Sequence, residues 1–298
     1  TWGRVPDEAI ERVKGQPAAG FLGDDSLGAG LQMAIYDLLG KANGVPVYKL
    51  FNLDKVRDWC PISWWNVDMP PPEFAAEAQE AVKRGYTSHK IKGRPWWDIY
   101  AQVEAVRDAV PDYYHLEIDW NQMLTTVSNA VPVLQRLDKY PIVSIYESPI
   151  KQGDVEGNLQ LRKKIARPIA FHYGNPPFPT VVRDEVCDGF VIGGGAQRTM
   201  ARGLTCGQVD LPFWLQLVGS GIPAAFSLHF GAVLSHARWP AVNCHQLYAA
   251  NLLTQPIVVQ KGRADVPDVP GMGYDLDRDV MERYRVDKPK KRPDPPRL

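Results

Sequence analysis

The chain has 298 residues, of which 45% are hydrophobic and 23% charged, so it can bury a full core as one large domain, or as one with a small appendage. Its 34 basic and 34 acidic residues balance to a formal net charge of zero, which argues against the basic surface that binds nucleic acid or an anionic membrane. Four cysteines without a C-x-x-C pair argue against a zinc ribbon or a disulfide framework, and they favour buried thiols in a cytoplasmic protein.

The first part of the chain is mixed and then helical. Residues 1–26 are rich in glycine and proline and predict at most one short helix, near Asp7 to Val13. From Leu31 to Gly40 apolar residues recur at helical spacing on one face, and Gly40 provides a stop signal. A second short helix is predicted around Pro46. This helical segment is too short to form a domain alone.

Strand and helix patterns alternate from residue 61 onward. The predicted strands are 61–65, 87–92, 114–119, 142–147, 168–172, 189–192 and 224–228. The predicted helices are 72–84, 97–109, 125–137, 155–165, 197–205 and 230–237. Such alternation is typical of parallel strands joined by crossover helices. A closed barrel fits better than an open doubly wound sheet, because residues 64–68 lack a glycine-rich phosphate turn.

Two further stretches have less specific patterns. The triple glycine 193–195 follows a predicted strand, and it suits either close packing of strand against helix or anion binding. Residues 286–298 are basic and rich in proline, which predicts an exposed and weakly ordered tail.

Two lysines lie together in the strand predicted before Gly93. Lys90 and Lys92 alternate with Ile91, so they project to the same side of the strand. Alone, a Lys-x-Lys pair is typical of a solvated edge strand. Asp119 and Glu147 follow at nearly equal steps, each closing its own apolar run. That spacing favours the ends of consecutive strands in a βα repeat.

Polar side chains end or flank several of the predicted strands. In a βα barrel these strand ends converge on one site. The candidates are Lys90, Lys92, Asp119, Asn121, Glu147, His172, Asp188 and His229. Their oxygen and nitrogen donors suit a hard divalent cation, and Mg²⁺ fits best because it takes carboxylates and keeps waters that substrate oxygens can replace. Each residue also has an ordinary alternative, such as an aspartate that caps the next helix.

Several short motifs occur in a fixed order along the chain. They are Lys90-Ile91-Lys92, Asp119-Trp120-Asn121, Glu147-Ser148-Pro149, the segment 188–194 ending in Ile-Gly-Gly, and Pro270-Gly271-Met272-Gly273-Tyr274-Asp275. In this order they resemble the K-x-K, D-x-N, E-x-P, sixth-strand and closing motifs of the enolase superfamily. The resemblance is to its mandelate racemase and muconate lactonizing enzyme branch, from about Leu31 to Arg285, and residues 34–48 resemble the helix pair that closes the capping domain of that family.

The resemblance implies an α/β fold, a TIM-type (β/α)7β barrel with a partial N-terminal α+β capping domain. It divides the chain into a capping region at residues 1–53, a barrel at 54–285 and the tail at 286–298. Members of the family assemble into homo-oligomers, so the same is expected of this chain.

The resemblance also implies Mg²⁺-dependent abstraction of the proton α to a carboxylate, through an enediolate. Lys92 would be the base, and Lys90 would make it easier to deprotonate and help to neutralise the substrate carboxylate. Asp188, paired with His229, would act on the opposite face. A proton-transferring group on each face of the substrate suits a racemase or epimerase, whereas one base and one acid suit a dehydratase. A small hydroxy acid, most plausibly a sugar acid, is the expected substrate.

The expected ligands of Mg²⁺ are Asp119, Glu147 and His172, the last standing where the family has a carboxylate. His172 is alternatively a substrate contact, with the metal site empty. Asn121 and Tyr173 are expected to bind substrate. The alternative function is a catalytically degenerate barrel that serves as a binding or assembly module.

Overall fold

The structure is a computed structural model that describes residue 5 and residues 7–285. Nine strands occur in these residues: β1 Trp59–Pro61, β2 Trp64–Trp65, β3 Ser88–Lys92, β4 His115–Asp119, β5 Val143–Glu147, β6 Ile169–His172, β7 Gly189–Ile192, β8 Phe213–Leu215 and β9 Arg263–Asp265.

Ten α-helices accompany these strands in the described residues. They are α1 Asp7–Val13, α2 Ala29–Asn43, α3 Pro71–Lys83, α4 Ile99–Ala109, α5 Val127–Leu137, α6 Val155–Arg162, α7 Phe178–Asp184, α8 Ala196–Gln208, α9 Gly221–Val233 and α10 Arg278–Arg283. No helix in the described residues is long and apolar enough to cross a lipid bilayer.

Seven strands, β2 to β8, form one parallel sheet in chain order. Residues 241–243 bring the two ends of this sheet together through backbone hydrogen bonds. The Val242 amide donates to the carbonyl oxygen of Leu215 on β8 at 2.8 Å, and the amide of Ser63, immediately before β2, donates to the Ala241 carbonyl oxygen at 2.9 Å. The sheet is therefore a closed ring in which 241–243 take the eighth position, as in a TIM-type barrel.

Alternation along each strand separates two layers of side chains. Ile91 and Ile118 point outward, where they join the main hydrophobic core between the strands and the helices. A smaller apolar cluster fills the inside of the barrel and includes Ile145, Val191 and Trp214. Lys90 and Lys92 alternate with Ile91 and therefore face the inside of the barrel. The predicted alternation of the lysines is confirmed, and their strand is internal rather than an edge strand, since β3 lies between β2 and β4.

The N-terminal helical region is joined to the barrel at the start of α8. The carboxylate of Asp25 accepts hydrogen bonds from the backbone amides of Gln197 and Arg198, at 3.0 and 2.9 Å. The side-chain oxygen of Gln32 on α2 accepts from the Ala196 amide at 2.8 Å. The first three amide groups of α8, which have no partners inside the helix, are thus satisfied by this region.

The packing interpretation of the triple glycine is supported by close backbone contacts. A Cβ atom at Gly193 would lie 2.4 Å from the Gln216 carbonyl oxygen, and one at Gly195 would lie 2.2 Å from the Asp25 carboxyl carbon. Both positions therefore require glycine. Because Asp25 already holds the amides of α8, the anion-binding alternative loses its donors.

The strand predicted at 224–228 is wrong, and the helix predicted at 230–237 is right only for residues 230–233. Residues 224–228 and 230–233 belong to α9, and residues 213–215 form β8, which the sequence did not predict. From Ala224 to Val233 every residue of α9 is buried, so this helix has no exposed polar face and its sequence is a largely apolar run that only Ser227 and His229 interrupt. Such a run does not distinguish a buried helix from a buried strand.

The α/β fold of the TIM-barrel type is confirmed. The predicted boundaries at residues 53 and 285 stay predictions. The predicted tail, residues 286–298, lies outside the described residues. The cysteines Cys60, Cys187, Cys206 and Cys244 are all buried and unpaired, as the sequence predicted.

Candidate active site

A cluster of charged side chains lies at the C-terminal ends of three neighbouring strands. Strand register places Lys92 on β3 beside Asp119 on β4, and Asp119 beside Glu147 on β5. The side chains of Asp119 and Glu147 are each 2% exposed, and that of Lys90 is 1% exposed. The side chain of Lys92 is 15% exposed, so it is the one of the four that opens toward solvent. We call these four residues the lysine-carboxylate cluster.

Each lysine of the cluster has its own carboxylate partner. Lys92 forms an ion pair with Asp119, and Lys90 forms one with Glu147. The Lys90 Nζ also lies 3.9 Å from an Asp119 oxygen. Burial opposes the charge on Lys90, but the carboxylates of Glu147 and Asp119 outweigh it and raise its pKa. Each lysine therefore lies against a carboxylate as well as beside the other lysine, and the expected effect of Lys90 on Lys92 stays a prediction.

Glu147 is held in its charged form by its neighbours Lys90 and His172. Burial alone would raise its pKa, but the ammonium of Lys90 and the contact with His172 outweigh burial and lower the pKa below its ordinary value. The Nε2 atom of His172, at the end of β6, lies 2.9 Å from Glu147 Oε1. Within the described residues the two side-chain oxygens of Glu147 have no hydrogen bond of normal geometry and meet only these two charged partners.

The structure brings together the three predicted metal ligands on successive strands β4, β5 and β6. In the described part of the chain no three His, Cys, Asp or Glu side chains already have the spacing of a metal site. The chemistry nevertheless fits a divalent cation, because two buried carboxylates and an imidazole converge and the Glu147 oxygens lack hydrogen bonds. Lys90 lies between the two carboxylates, so it would have to give way to a metal ion there.

Asn121 lies beside Asp119 at the rim of the barrel mouth. Its backbone amide donates to Asp119 Oδ1 at 2.9 Å, and its side-chain amide donates to Oδ2 at 3.2 Å. The side-chain oxygen of Asn121 accepts from Arg94, which also contacts Asp68 at 3.0 Å. Asn121 therefore orients Asp119, and its predicted role in binding substrate stays a prediction. Arg94 was not identified from the sequence.

Gln216 is a site residue that the sequence analysis missed. It follows β8, and its side-chain oxygen accepts hydrogen bonds from Lys90 at 2.9 Å and from the Trp214 indole at 3.3 Å. The Lys90 ammonium also lies 4.8 Å from the centre of a Trp214 ring. Because β8 has three residues and was not predicted, no sequence signal placed Gln216 at a strand end.

A cavity of about 310 Å³ opens beside the lysines. It lies on the side of the mouth formed by β8, residues 241–248, β2 and β3. Lys90, Lys92 and Gln216 contribute to its lining. The other lining residues, which we call the apolar arc, are Trp65, Val218, Val242, Cys244, Leu247 and Tyr248. Trp65 lines this cavity, whereas its neighbour Trp64 does not.

Glu117 lies one layer deeper in the barrel, opposite Lys90 in the strand register. It is 2% exposed, and burial raises its pKa to about 8, although Lys90 acts in the opposite direction. A carboxyl group in this state carries its proton at neutral pH. Glu117 was not among the predicted site residues, since an acidic residue inside a strand carries no motif.

The predicted pairing of Asp188 with His229 is wrong. Asp188 immediately precedes β7, so it lies at the opposite end of the barrel from the lysine-carboxylate cluster. Its carboxylate pairs with Arg162 and accepts a hydrogen bond from the Ile169 amide at 2.8 Å. It therefore fastens α6 to the start of β6, and the structure does not support a catalytic role for it.

His229 also lies away from the cavity, in the interior of α9. Its Nε2 atom is 3.2 Å from the carbonyl oxygen of Met272, and its ring stacks on Tyr48 with 6.2 Å between ring centres. Burial lowers its pKa to about 4, so it is neutral at physiological pH. This is a structural histidine that joins α9 to the closing P-G-x-G motif. The error follows from the strand wrongly predicted at 224–228.

Tyr173 does not line the cavity either. Its ring stacks on Phe178 at 5.3 Å and packs against Phe190 at 5.0 Å. As the residue after His172, it points to the other side of the strand, toward the helices. Its predicted role in binding substrate is therefore wrong.

Comparison with known proteins places this geometry in a family. The family described as enolase C-terminal domain-like matches residues 73–280. The arabinonate dehydratase of Saccharolobus solfataricus is 24% identical over 269 residues, which cover 86% of this chain and 71% of that protein.

Solved structures of the same family superpose on the chain. A mandelate racemase/muconate lactonizing family protein from Azoarcus sp. EbN1 has a TM-score of 0.74 and 25% identity, covering 94% of this chain and 79% of the other. An enolase from Thermobispora bispora, complexed with magnesium and formate, has a TM-score of 0.72 and 24% identity, covering 87% of this chain and 67% of the other. The second likeness concerns the fold alone.

Proposed function

The chain belongs to the enolase C-terminal domain-like family, in the mandelate racemase and muconate lactonizing enzyme branch of the enolase superfamily, and we propose that it removes the proton α to the carboxylate of a small substrate. The observation that carries the proposal is the lysine-carboxylate cluster. Buried ammonium and carboxylate groups are costly to desolvate, and such a concentration of charge at the mouth of a barrel is typical of a catalytic site.

We propose Mg²⁺ as the cofactor, with Asp119, Glu147 and His172 as its protein ligands. When bound, the ion would neutralise negative charge on the substrate carboxylate. The magnesium complex of the Thermobispora enolase and the two buried carboxylates support this choice. Imidazole is softer than carboxylate as a ligand, so His172 is the poorest chemical match to a hard ion and is the first ligand to test.

Lys92 is the proposed base. In its neutral form, its Nζ takes the α-proton while the electron pair of the C–H bond enters the enediolate. The Lys90 ammonium, which lines the cavity beside Lys92, stabilises the negative charge that develops. In a dehydration the bond to a β-hydroxyl then breaks, and the proton on Lys92 passes to the departing oxygen to give water. Lys92 is suited to this role because it lines the cavity and is partly exposed.

Among the two reactions expected, dehydration is the better supported. Racemisation requires a proton-transferring group on each face of the substrate, and Asp188 and His229 do not reach the cavity. Of the other described lining residues that carry an acidic proton, Cys244 has a pKa raised to about 12 by burial, and Tyr248 is 48% exposed at the rim. We therefore propose chemistry from one face, by the lysines. The dehydratase activity of the Saccharolobus relative supports the same reaction class.

Exchange of the α-proton with solvent deuterium tests the proposal. The chain is incubated in D₂O with Mg²⁺ and, separately, D-arabinonate, (R)-mandelate and (S)-mandelate, and proton NMR follows the α-proton signal. We expect exchange with retained configuration for at least one compound, and its loss in EDTA and in Asp119→Asn. Exchange with racemisation would contradict the one-faced mechanism. No exchange from a folded chain that binds Mg²⁺ would favour the degenerate barrel, a binding or assembly module.

We also propose that the chain acts in the cytoplasm on a small carboxylate. Four buried, unpaired cysteines support a reducing compartment. Assembly into a homo-oligomer stays a prediction, to be measured by light scattering on the purified chain.

A further inference from the structure

The cavity beside the lysines is unusually poor in hydrogen-bonding groups for a site that would hold a sugar acid. The apolar arc contributes an indole ring, two valines, a leucine, a thiol and a phenol to its lining. An apolar cluster inside the barrel, which includes Val191, Trp214 and Ile145, lies beneath this side of the cavity. A ligand that enters the cavity therefore meets mostly carbon on the side formed by β8, residues 241–248 and β2.

Apart from the lysines, the lining carries few polar side-chain atoms, and one of its acceptors is already occupied. The Gln216 side-chain oxygen already accepts from Lys90 and from the Trp214 indole. Cys244 keeps its proton, because burial raises its pKa to about 12, and a thiol is a weak donor. Tyr248 is 48% exposed, so its hydroxyl can reach water at the rim. Several substrate hydroxyls in this part of the cavity would lack partners.

Charge in the cavity is confined to the two lysines. Lys90 and Lys92 line it on the β3 side, where the next strands carry Asp119 and Glu147. A single carboxylate on the ligand matches this arrangement, since it can approach the ammonium groups with its carbon skeleton against the apolar arc. The volume of about 310 Å³ holds roughly ten water molecules, which suits a ligand of about ten non-hydrogen atoms.

Building on the proposed function, we propose that the substrate is a monocarboxylate with an apolar body. Beyond the α and β carbons its skeleton is an alkyl or aryl group, and it carries at most the one β-hydroxyl that would leave as water. This assigns the apolar arc as the surface that selects the substrate. It replaces the sugar acid expected from the sequence as the preferred substrate class.

Two carboxylates of equal size test the substrate class directly. 3-Phenylpropanoate and D-arabinonate have the same number of non-hydrogen atoms and one carboxylate each, but differ in hydroxyl groups. Calorimetric titration of the full chain with each, in Mg²⁺ and again in EDTA, measures binding without requiring turnover. We expect 3-phenylpropanoate to bind at least about tenfold more tightly, because each hydroxyl buried without a partner weakens binding by about that factor.

Matched variants test whether the apolar arc selects the substrate. Val218→Thr keeps the shape of a half-buried lining residue and adds one hydroxyl, so it should weaken 3-phenylpropanoate several-fold and narrow its advantage over D-arabinonate. Val209→Thr makes the same change at a residue that is 37% exposed and does not line the cavity, and it should leave both affinities unchanged. Lys92→Met should weaken both ligands, since both present a carboxylate.

The outcomes separate this inference from the proposed function. If 3-phenylpropanoate binds as expected but no compound exchanges its α-proton, the substrate class stands and the catalytic proposal fails. If D-arabinonate binds as tightly as 3-phenylpropanoate, or more tightly, the inference is overturned, whatever the exchange experiment shows. Failure of both ligands to bind a folded chain also overturns it. If Val218→Thr and Val209→Thr weaken the binding of 3-phenylpropanoate equally, the apolar arc does not select the substrate.

Discussion

The mouth of the barrel consists of two halves with opposite chemistry. From β3 to β6 the strand ends carry Lys92, Asp119, Glu147 and His172, whereas the half formed by β8, residues 241–248 and β2 carries the apolar arc. The backbone is the same parallel ring in both halves. The difference in chemistry lies in the side chains at these positions, and it separates the groups suited to catalysis from those suited to selecting a substrate.

The two halves also differ in what they contribute to folding. Burial of Val242 and Trp214 removes apolar surface from water and stabilises the barrel, by about 25 cal/mol for each Å². Burial of Lys90 and Glu147 removes charges from water, and their mutual attraction offsets only part of that cost. A protein that retained the charged half for stability alone would do better with apolar residues there.

The largest effect is expected at the proposed base. Lys92→Met should reduce α-proton exchange by about 10³-fold, because it removes the group that accepts the proton. Proton NMR in D₂O measures the rate, and urea unfolding checks that the variant is folded. Lys83→Met is the control, since the side chain of Lys83 is 80% exposed on α3. Exchange at the normal rate in Lys92→Met would transfer the role of base to another residue.

A large loss of stability is expected when one member of the buried ion pair is removed. Glu147→Leu leaves the Lys90 ammonium buried, with the nearest remaining carboxylate oxygen, on Asp119, at 3.9 Å, and should lower the free energy of unfolding by about 3–5 kcal/mol. The double variant Lys90→Met with Glu147→Leu should recover most of this loss. Urea unfolding at pH 7 in EDTA measures both. A double variant as unstable as Glu147→Leu would show that the pair is not a net cost.

A pH-dependent effect is expected from Glu117. Its pKa is about 8 in the folded chain against an ordinary value of 4.5, so between these pH values the unfolded chain has lost a proton that the folded chain keeps. Stability should therefore fall as pH rises through this window, by up to about 1.4 kcal/mol for each pH unit. Glu117→Gln stays neutral in both states and should remove this decline.

Urea unfolding of the native chain and Glu117→Gln, both in EDTA at pH 5 and pH 7.5, isolates that contribution. The buried histidines titrate similarly in both proteins and cancel in the difference. If the free energy of unfolding changes equally between pH 5 and pH 7.5 in the two proteins, Glu117 is ionised in the folded chain at neutral pH.

The smallest effect is expected at the other end of the barrel. Asp188→Asn weakens a partly exposed ion pair with Arg162, so it should cost at most about 1 kcal/mol in unfolding free energy. It should leave α-proton exchange unchanged, because Asp188 does not line the cavity. Strong loss of exchange in a variant of normal stability would contradict the one-faced site and restore Asp188 as a catalytic candidate.

The charged half of the mouth could be predicted from the sequence better than the apolar half. Lys92, Asp119 and Glu147 each end a strand of five residues with a clear apolar pattern, so the spacing alone indicated that they meet. On the other side, β8 has only three residues and the eighth position is an extended segment at 241–243. Without those strands, nothing in the sequence indicated that Gln216 and Val242 face the lysines.

The errors at Asp188, His229 and Tyr173 have two physical causes. Helix α9 is buried on all sides and therefore lacks the polar face from which a helix is recognised, which misplaced His229 at a strand end. Asp188 and Tyr173 were assigned to the wrong place relative to their strands. Asp188 precedes its strand and so lies at the other end of the barrel, whereas Tyr173 follows the inward-facing His172 and so faces outward. Motif spacing contains neither kind of information.

The capping of α8 by Asp25 and Gln32 makes the docking of the N-terminal region observable at single amides. The amide protons of Ala196, Gln197 and Arg198 are held by side chains that lie more than 160 residues earlier in the sequence. Their hydrogen exchange with solvent therefore reports whether that region is in place, independently of any ligand or activity. A substitution such as Asp25→Ala should make the amides of Gln197 and Arg198 exchange faster, while those in the middle of α8 stay protected. These amides therefore report directly on the contact between the N-terminal region and the barrel.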